Sequence, residues 1–328
     1  MNKKLIAVAI AAAVAAPAAM ANDTTLYGKA HVSIGNYDDG SADMWKVESH
    51  ASRLGVKGSE DLGNGLKAIF KYEFGIQVDD SDGVNSGRNA YVGLSGDFGT
   101  VLAGRHDTPA KVAFYAAGNE TIGDSIIDIN SKTSTTSAGF SELRLDNAVA
   151  YISPNFSGFT AAAAVVPGET SGNNGLADAY SVGLMYSGNG IKASAGYEVA
   201  DSNMVLGSSG TAAGGLTIGA DDHEMFQVGA SVTFGDFMVG ANYEDTSNYA
   251  GTASDKEVWA ITGKAGFGNN YVTARYMETE IGTWDADTFH IGAGHKMSKR
   301  TQVYVAYENE ERGGTDTDQF ALGMIHSF

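Results

Sequence analysis

From Leu26 to Ile34 the chain alternates: Leu26, Gly28, Ala30, Val32 and Ile34 are apolar or small, whereas Tyr27, Lys29, His31 and Ser33 carry polar atoms. Successive side chains of a strand point to opposite faces, so this stretch predicts a strand with one oily and one polar face. Residues 52–58 repeat the pattern, with Leu54 and Val56 set against Arg53 and Lys57. Residues 66–74 set Leu66, Ala68, Phe70, Tyr72 and Phe74 against Lys67, Ile69, Lys71 and Glu73. Sixteen such segments are expected. Eight lie near 23–36, 51–60, 66–76, 88–96, 100–106, 144–153, 159–167 and 179–187. The others lie near 191–201, 222–234, 237–245, 256–265, 270–280, 286–296, 301–310 and 318–328. Short, turn-like links such as 61–65, 96–99, 187–190 and 297–300 alternate with longer polar ones such as 38–50, 77–87 and 202–221. Short turns are therefore expected at one end of the strands and long loops at the other.

Helical periodicity is hard to find beyond the first 21 residues, which have a different character. Asn2-Lys3-Lys4 is a basic head, residues 5–16 are an apolar run, and Ala19-Met20-Ala21 is a small-residue cleavage site. This pattern predicts an export signal over 1–21, removed after Ala21; its apolar core is shorter than the roughly 20 residues of a spanning helix. No later apolar run is long enough for a transmembrane helix, so any membrane role falls to strands. An exported chain with an even number of strands of about ten residues and unequal turns predicts an all-β fold, a 16-stranded antiparallel transmembrane β-barrel over 22–328. Every backbone polar group in lipid must be paired, so such a sheet has to close on itself. Closure accounts for the last strand. Phe320, Leu322, Met324, His326 and Phe328 share a parity, Ile325 is the one bulky apolar exception opposite them, and Phe328 suits an aromatic rim.

Composition narrows the function. The 328 residues carry a formal charge of −18, which losing Lys3 and Lys4 deepens by two, so nucleic acid is not an expected partner. There is no Cys, which excludes disulfides, thiolate nucleophiles and Cys-containing zinc sites. Sixteen strands leave an aqueous lumen rather than a side-chain-filled core. The link 106–143 is far longer than the about 12–15 residues normal for an unstructured loop. Residues 112–117 suit a turn of helix, and Ile122, Ile126, Ile127 and Ile129 suit burial, so this third long loop is expected to fold back into the lumen. It carries Glu120, Asp124 and Asp128; the surrounding strands offer Lys29, Arg53, Lys57, Lys67, Lys71, Arg105 and Arg144. Acids opposite bases create a transverse field across the narrowest water column. Arg88 shares parity with the apolar Ala90, Val92 and Leu94, and faces inward only if a bulge shifts its register or if the outer surface there meets another protomer.

Catalytic and metal chemistry find little footing. None of the seven His stands in a nucleophile–base pattern. Asp79-Asp80-Ser81-Asp82-Gly83 lacks the alternating ligands and closing Glu of a calcium loop, although acidic loops of this kind suit divalent ions bridged to lipopolysaccharide phosphates. Gly28, Gly55 and Gly58 sit within strands rather than at a phosphate-binding strand-to-helix turn. No catalytic residue, metal or cofactor is expected.

Several stretches together resemble the general diffusion porins of Gram-negative outer membranes, in particular the neisserial and other proteobacterial branch. They are Leu26-Tyr27-Gly28-Lys29, residues 52–58 running into 60–66, residues 88–94 followed by Gly96-Asp97-Phe98-Gly99, residues 144–154, and Phe328. The resemblance implies a homotrimer in which each protomer carries its own pore, pinched by the third long loop. It implies a basic constriction wall of Lys29, Arg53, Arg88 and Arg144 with loop acids opposite, and Phe328 as the signal read by the outer-membrane assembly machinery. The loop lacks the Pro-Glu-Phe-Gly-Gly stretch of enterobacterial relatives, so which of Glu120, Asp124 and Asp128 faces the pore is left open.

The expected function is a water-filled channel for passive diffusion of ions and small hydrophilic solutes. A sugar-specific porin would need an aromatic track, and the inward candidates Tyr27, Trp45 and Tyr151 form no ladder. A plugged structural or adhesive barrel would bind through its loops and conduct nothing. The acidic loops attract cations to the mouth while the constriction bases favour anions, and the field is strongest where water is scarcest, so anion preference is expected.

Overall fold

Alternation along the chain becomes a sheet whose two faces meet different solvents. The computed structural model describes residues 23–328 apart from 39, 82, 131–138, 170–171, 173, 203, 207–215, 218–220 and 250–253, so the expected signal at 1–21 lies outside the described residues. The strands are β1 (Asp23–Asp38), β2 (Asp43–Ser49), β3 (Arg53–Gly63), β4 (Leu66–Ile76), β5 (Val84–Gly96), β6 (Gly99–Asp107), β7 (Arg144–Ile152), β8 (Phe159–Val166), β9 (Ala179–Gly188) and β10 (Ile191–Ala200). After a two-rung ladder of β11 (Val205–Leu206) with β12 (Leu216–Thr217) follow β13 (His223–Phe234), β14 (Phe237–Ser247), β15 (Lys256–Phe267), β16 (Asn270–Ile281), β17 (Trp284–Lys296), β18 (Thr301–Arg312) and β19 (Thr315–Ser327). Among the described residues one helix, α1 (Pro109–Ala116), lies between β6 and β7.

Neighbouring strands pair antiparallel in chain order, and β1 pairs with β19 from Lys29↔Ser327 to Tyr37↔Gln319, closing the barrel. Mutual backbone bonds between Gly28 and Phe328, at 3.0 and 3.1 Å, finish the seam. The 16 staves of the barrel correspond to the expected segments. The second stave is two strands, because β2 pairs with the far half of β1 and β3 with its near half. The break between them is at His50–Ser52, where Ala51 has φ 44°. Residues 43–49, expected within a long loop, are thus strand. The end bearing the long loops also has two tight turns, around Gly282 between β16 and β17 and around Gly313-Gly314 between β18 and β19, all three glycines at positive φ. Long loops are therefore not general at that end.

Burial is the reverse of that in a water-soluble protein. Outward apolar side chains are open, Ile261 at 52% and Leu322 at 52%, whereas inward His31, Glu244 and Glu308 are almost fully covered. This is the arrangement a lipid-facing barrel requires. An outward aromatic row runs through Tyr180, Tyr197, Phe226, Tyr243, Trp259, Tyr276, Phe289, Tyr307 and Phe320 on β9, β10 and β13–β19. It is interrupted on β1, where Ile34 stands, and on β5–β8, which carry Ala90, Ala103, Val149 and Val165. Two of the inward aromatic candidates prove to point outward. Trp45 is paired with outward Asn36 and is 68% exposed, and Tyr151 is paired with outward Val101.

A bulge decides the orientation of Arg88. Tyr72 pairs with Ala90 and Phe74 with Gly87, so two residues of β5, Arg88 and Asn89, stand opposite Glu73 alone. The extra residue reverses the alternation. Both Arg88 and Asn89 turn to the polar face, where each makes side-chain hydrogen bonds.

Candidate functional site

The segment from His106 to Leu143 is held on the polar face of the sheet by hydrogen bonds to a succession of strands. The Thr108 hydroxyl accepts the Lys111 N–H (3.2 Å), and Pro109 follows in the first turn, where its missing N–H costs nothing. This start precedes the turn of helix expected from residue 112. Ala110 N–H donates to Ser181 Oγ on β9 (3.0 Å), and the Ala117 carbonyl accepts from Ser231 Oγ on β13 (2.5 Å). Asn119 Nδ2 donates to the carbonyls of Ala230 (3.2 Å) and Ala241 (3.0 Å). On β16 the Arg275 guanidinium donates to the carbonyls of Asn119 (3.0 Å) and Ile127 (2.9 Å) and lies 3.5 Å from Glu120.

Ile122, Ile126 and Ile127 then pack among Tyr271, Tyr304, Ala306 and Ala321, with Ile325 against them. Ile325, the apolar exception of its strand, thus supplies a landing place for the isoleucines. The return limb is fixed at Ser141, whose N–H and hydroxyl both donate to Glu244, each at 2.7 Å. Lys256 Nζ lies 2.9 Å from Glu244, both side chains fully buried, and also donates to the Gly139 carbonyl (2.7 Å). Removing two charges from water is costly unless each is paired and hydrogen-bonded, and here both are.

At its far reach the segment meets the basic strands. Asp124, at φ 60°, places its carboxylate 2.5 Å from Lys29 Nζ and 2.8 Å from Arg53 Nη2. Beside this pair Glu73 accepts from Arg88 Nε (2.7 Å) and Tyr27 (2.7 Å) and lies 3.2 Å from Lys71. Asp107 lies 2.8 Å from Arg144 and 3.2 Å from Lys111, whose Nζ also meets Glu142 at 2.6 Å. Asn89 ties the two groups together: Arg144 Nε donates to its Oδ1 (2.9 Å) and its Nδ2 donates to Asp107 (2.7 Å). Lys29, Arg53, Arg88, Asp107, Lys111, Asp124, Glu142 and Arg144, with Tyr115, Glu120 and Asp128, line a cavity of about 510 Å³.

The structure therefore brings together Lys29, Arg53, Arg88 and Arg144. Lys57 stands apart over the Tyr27 ring (5.2 Å); Arg105, expected to line the pore, is paired with outward Ala90 and is bound to Asp146 (2.5 Å) and the Gly87 carbonyl (3.2 Å). Among the three acids singled out in the segment, Asp124 alone touches basic strand residues on β1–β7 in the described contacts. Burial raises the Asp124 carboxyl, but Lys29 and Arg53 outweigh it and hold the group below the usual aspartate range. Burial, and then the neighbouring Glu120, Glu142 and Asp124, hold the Asp128 carboxyl well above that range. It accepts the N–H groups of Asn130 (3.1 Å) and Asp124. Glu120 turns back on its own segment, accepting the N–H groups of Thr121 (2.8 Å) and Ile129 (3.0 Å). Asp107, Lys111, Glu142 and Arg275 were not singled out by sequence reasoning. The i, i+4 spacing of Asp107 and Lys111 at a helix start is a usable signal for that pair, whereas Glu142 and Arg275 show none.

Residues 7–315 match the model of a family described as Gram-negative porin. Over 208 residues the chain is 34% identical to the major outer membrane protein P.IB of Neisseria gonorrhoeae, covering 58% of the chain and 55% of that relative, so this match spans about half of the relative's length. It is 31% identical over 322 residues to outer membrane porin protein 32 of Delftia acidovorans, covering 93% of the chain and 88% of the relative. Among solved structures, an anion-selective porin from Comamonas acidovorans superposes with a TM-score of 0.74 at 22% identity, covering 93% of this chain and 99% of that one. The trimer form of OmpT, an outer membrane protein of Vibrio cholerae, superposes with a TM-score of 0.68 at 19% identity, covering 93% and 99%. The closed 16-stranded barrel, its oily exterior and these likenesses agree: the chain belongs to the Gram-negative porins, β-barrels of the outer membrane.

Proposed function

We propose that the protein is a passive diffusion channel for ions and small hydrophilic solutes, narrowed by the segment 106–143 lying within the lumen, and that it is not an enzyme. The observation that carries this reading is the contact of Asp124 with Lys29 and Arg53. The segment leaves β6, is bonded to β9, β13 and β16, and reaches β1 and β3, always on the polar face. In a closed barrel that course lies inside.

Lys29, Arg53, Arg88 and Arg144 form the basic wall of the constriction, and Asp124 is the loop acid that meets them. Lys57 lines the wall away from the narrowest point, whereas Arg105, paired with outward Ala90, lies on the outer face. Selectivity follows from the charges around the cavity. Six cations, Lys29, Arg53, Lys71, Arg88, Lys111 and Arg144, touch four carboxylates, Glu73, Asp107, Asp124 and Glu142. Glu120 is offset by Arg275, and Asp128 is held towards its neutral form. The surplus is positive where water is scarcest, so anions pass preferentially.

The working unit is a homotrimer, supported by the interruption of the outward aromatic row on β1 and β5–β8, where small or β-branched residues suit contact with another protomer. Residues 1–21 are removed on export, Phe328 is read by the assembly machinery, and the acidic loops meet lipopolysaccharide through divalent ions. Single-channel recording in planar bilayers tests the channel: conductance in three steps per insertion, with a reversal potential favouring anions, is the expected result. Folded protein without conductance would instead indicate a plugged surface barrel.

A further inference from the structure

Glycine weakens a strand interior, because it loses the most conformational freedom and has no side chain to pack. Five inward glycines nevertheless lie along the course of the 106–143 segment: Gly183 on β9, Gly196 on β10, Gly229 on β13, Gly240 on β14 and Gly292 on β17. None has a positive φ, so the backbone does not require glycine at any of them. What they share is the segment itself. A Cβ at Gly183 would overlap the Pro109 carbonyl and lie 3.0 Å from Ala113 Cβ, and one at Gly196 would lie 2.9 Å from Ala110 Cα. At Gly229 it would lie 2.8 Å from Ala117 Cβ, at Gly240 it would overlap Asn119, and at Gly292 it would meet Ile127 and Ile122 at 2.7 and 2.9 Å. Real Cβ contacts are not so close, so an added carbon at Gly183, Gly196 or Gly229 displaces the segment, and one at Gly240 or Gly292 displaces the side chains that the segment lays there.

The opposite face of α1 bounds the cavity. Ala110 and Ala113 face the glycines, while Lys111, Val112 and Tyr115 line the 510 Å³ space. The depth at which the helix sits on the wall therefore fixes how far Lys111 and Tyr115 project into the water.

We propose that Gly183, Gly196, Gly229, Gly240 and Gly292 form a track that sets the seating depth of the segment and thereby the bore of the channel, making them size-determining positions that never touch the solute. The proposal rests on the reading of 106–143 as the constriction. In the full-length trimer, G183A/G196A lifts α1 towards the basic wall. Conductance is expected to fall on the order of twofold, since conduction is limited by the narrowest cross-section. Gly266→Ala is the control: it is inward on β15, where an added Cβ meets only the Asp236 carbonyl at an ordinary 3.6 Å, and conductance should not change. Should the double variant not fold, Gly229→Ala replaces it, because its added carbon meets the Asn242 side chain and Ala117 Cβ of the segment rather than backbone. The same substitutions are then made in a variant with 110–141 shortened, where they should have no effect. Unchanged conductance in the folded glycine variants, or an equal fall with Gly266→Ala, overturns the track while leaving the constriction standing. A shortened segment that itself leaves conductance unaltered overturns the constriction and the track with it.

Discussion

The wall of this barrel has two unlike arcs. On β1–β7 the inward face is a ladder of long charged side chains, Lys29, Arg53, Lys71, Glu73, Arg88, Asp107 and Arg144, each held by an opposite charge. On β9–β19 the inward face carries small residues and buried anchors, and the 106–143 segment is bonded and packed against it. Outside, the aromatic row is complete on β9, β10 and β13–β19 and interrupted on β1 and β5–β8. In the proposed channel, one arc chooses what passes and the other holds the part that narrows the path. Division of this kind lets the charges at the narrowest point vary without loosening the segment that creates it.

The comparison breaks most severely at the buried pair of the seating arc. Lys256→Met leaves Glu244 buried without its cation, and losing one partner of such a pair costs about 3–5 kcal/mol. The expected outcome is a marked fall in the temperature at which the folded band is lost on heating, largely restored in K256M/E244L.

The two arcs should also respond differently from outside. Ile261→Arg puts a charge against lipid at mid-stave, a cost of about 2–4 kcal/mol, and should lower the yield of folded barrel. Val149→Arg, where the aromatic row is interrupted, should leave protomers folded but abolish the trimer on native electrophoresis. Equal effects of the two substitutions would mean that both faces meet lipid.

The charged arc is sharpened at Asp124. Asp124→Asn leaves Lys29 and Arg53 without their carboxylate, and the anion-to-cation permeability ratio should rise about threefold, the scale of one charge in a partly screened lumen. The pH dependence has a definite sign. Because the Asp124 carboxyl is held below its ordinary value, its anchoring is fully present above the unfolded aspartate pKa of about 3.9. It is lost as pH falls through the lower folded value. The difference in selectivity between the unaltered protein and Asp124→Asn should therefore stay constant down to about pH 4 and disappear only in stronger acid, as reversal potentials of both across a pH series will show. The smallest effect belongs to Lys57, outside the cluster. Lys57→Gln should change stability by less than about 0.5 kcal/mol and leave the reversal potential unmoved, whereas Lys29→Gln shifts it.

Much of this was written locally. The strand period is two whatever the partner, so Leu26–Ile34 or 66–74 disclosed both strand and inward face without knowledge of the neighbours. An oily face on nearly every strand, with no long apolar helix after the first 21 residues, determined a closed membrane barrel, because lipid permits no unpaired edge. The length of 106–143 and its isoleucines determined that this segment had to be buried somewhere. Only the tertiary structure decided the rest. Arg88 faces inward because β5 bulges against Glu73 of β4, a matter of register between strands. Asp124, and not Glu120 or Asp128, reaches Lys29 and Arg53 because Arg275 and the isoleucine cluster fix where the segment turns, through contacts more than a hundred residues away in sequence. Ile325 and the five inward glycines look like flaws in their strands until the segment lies on them. Periodicity reports which face a residue takes, whereas what covers that face depends on chain brought from elsewhere.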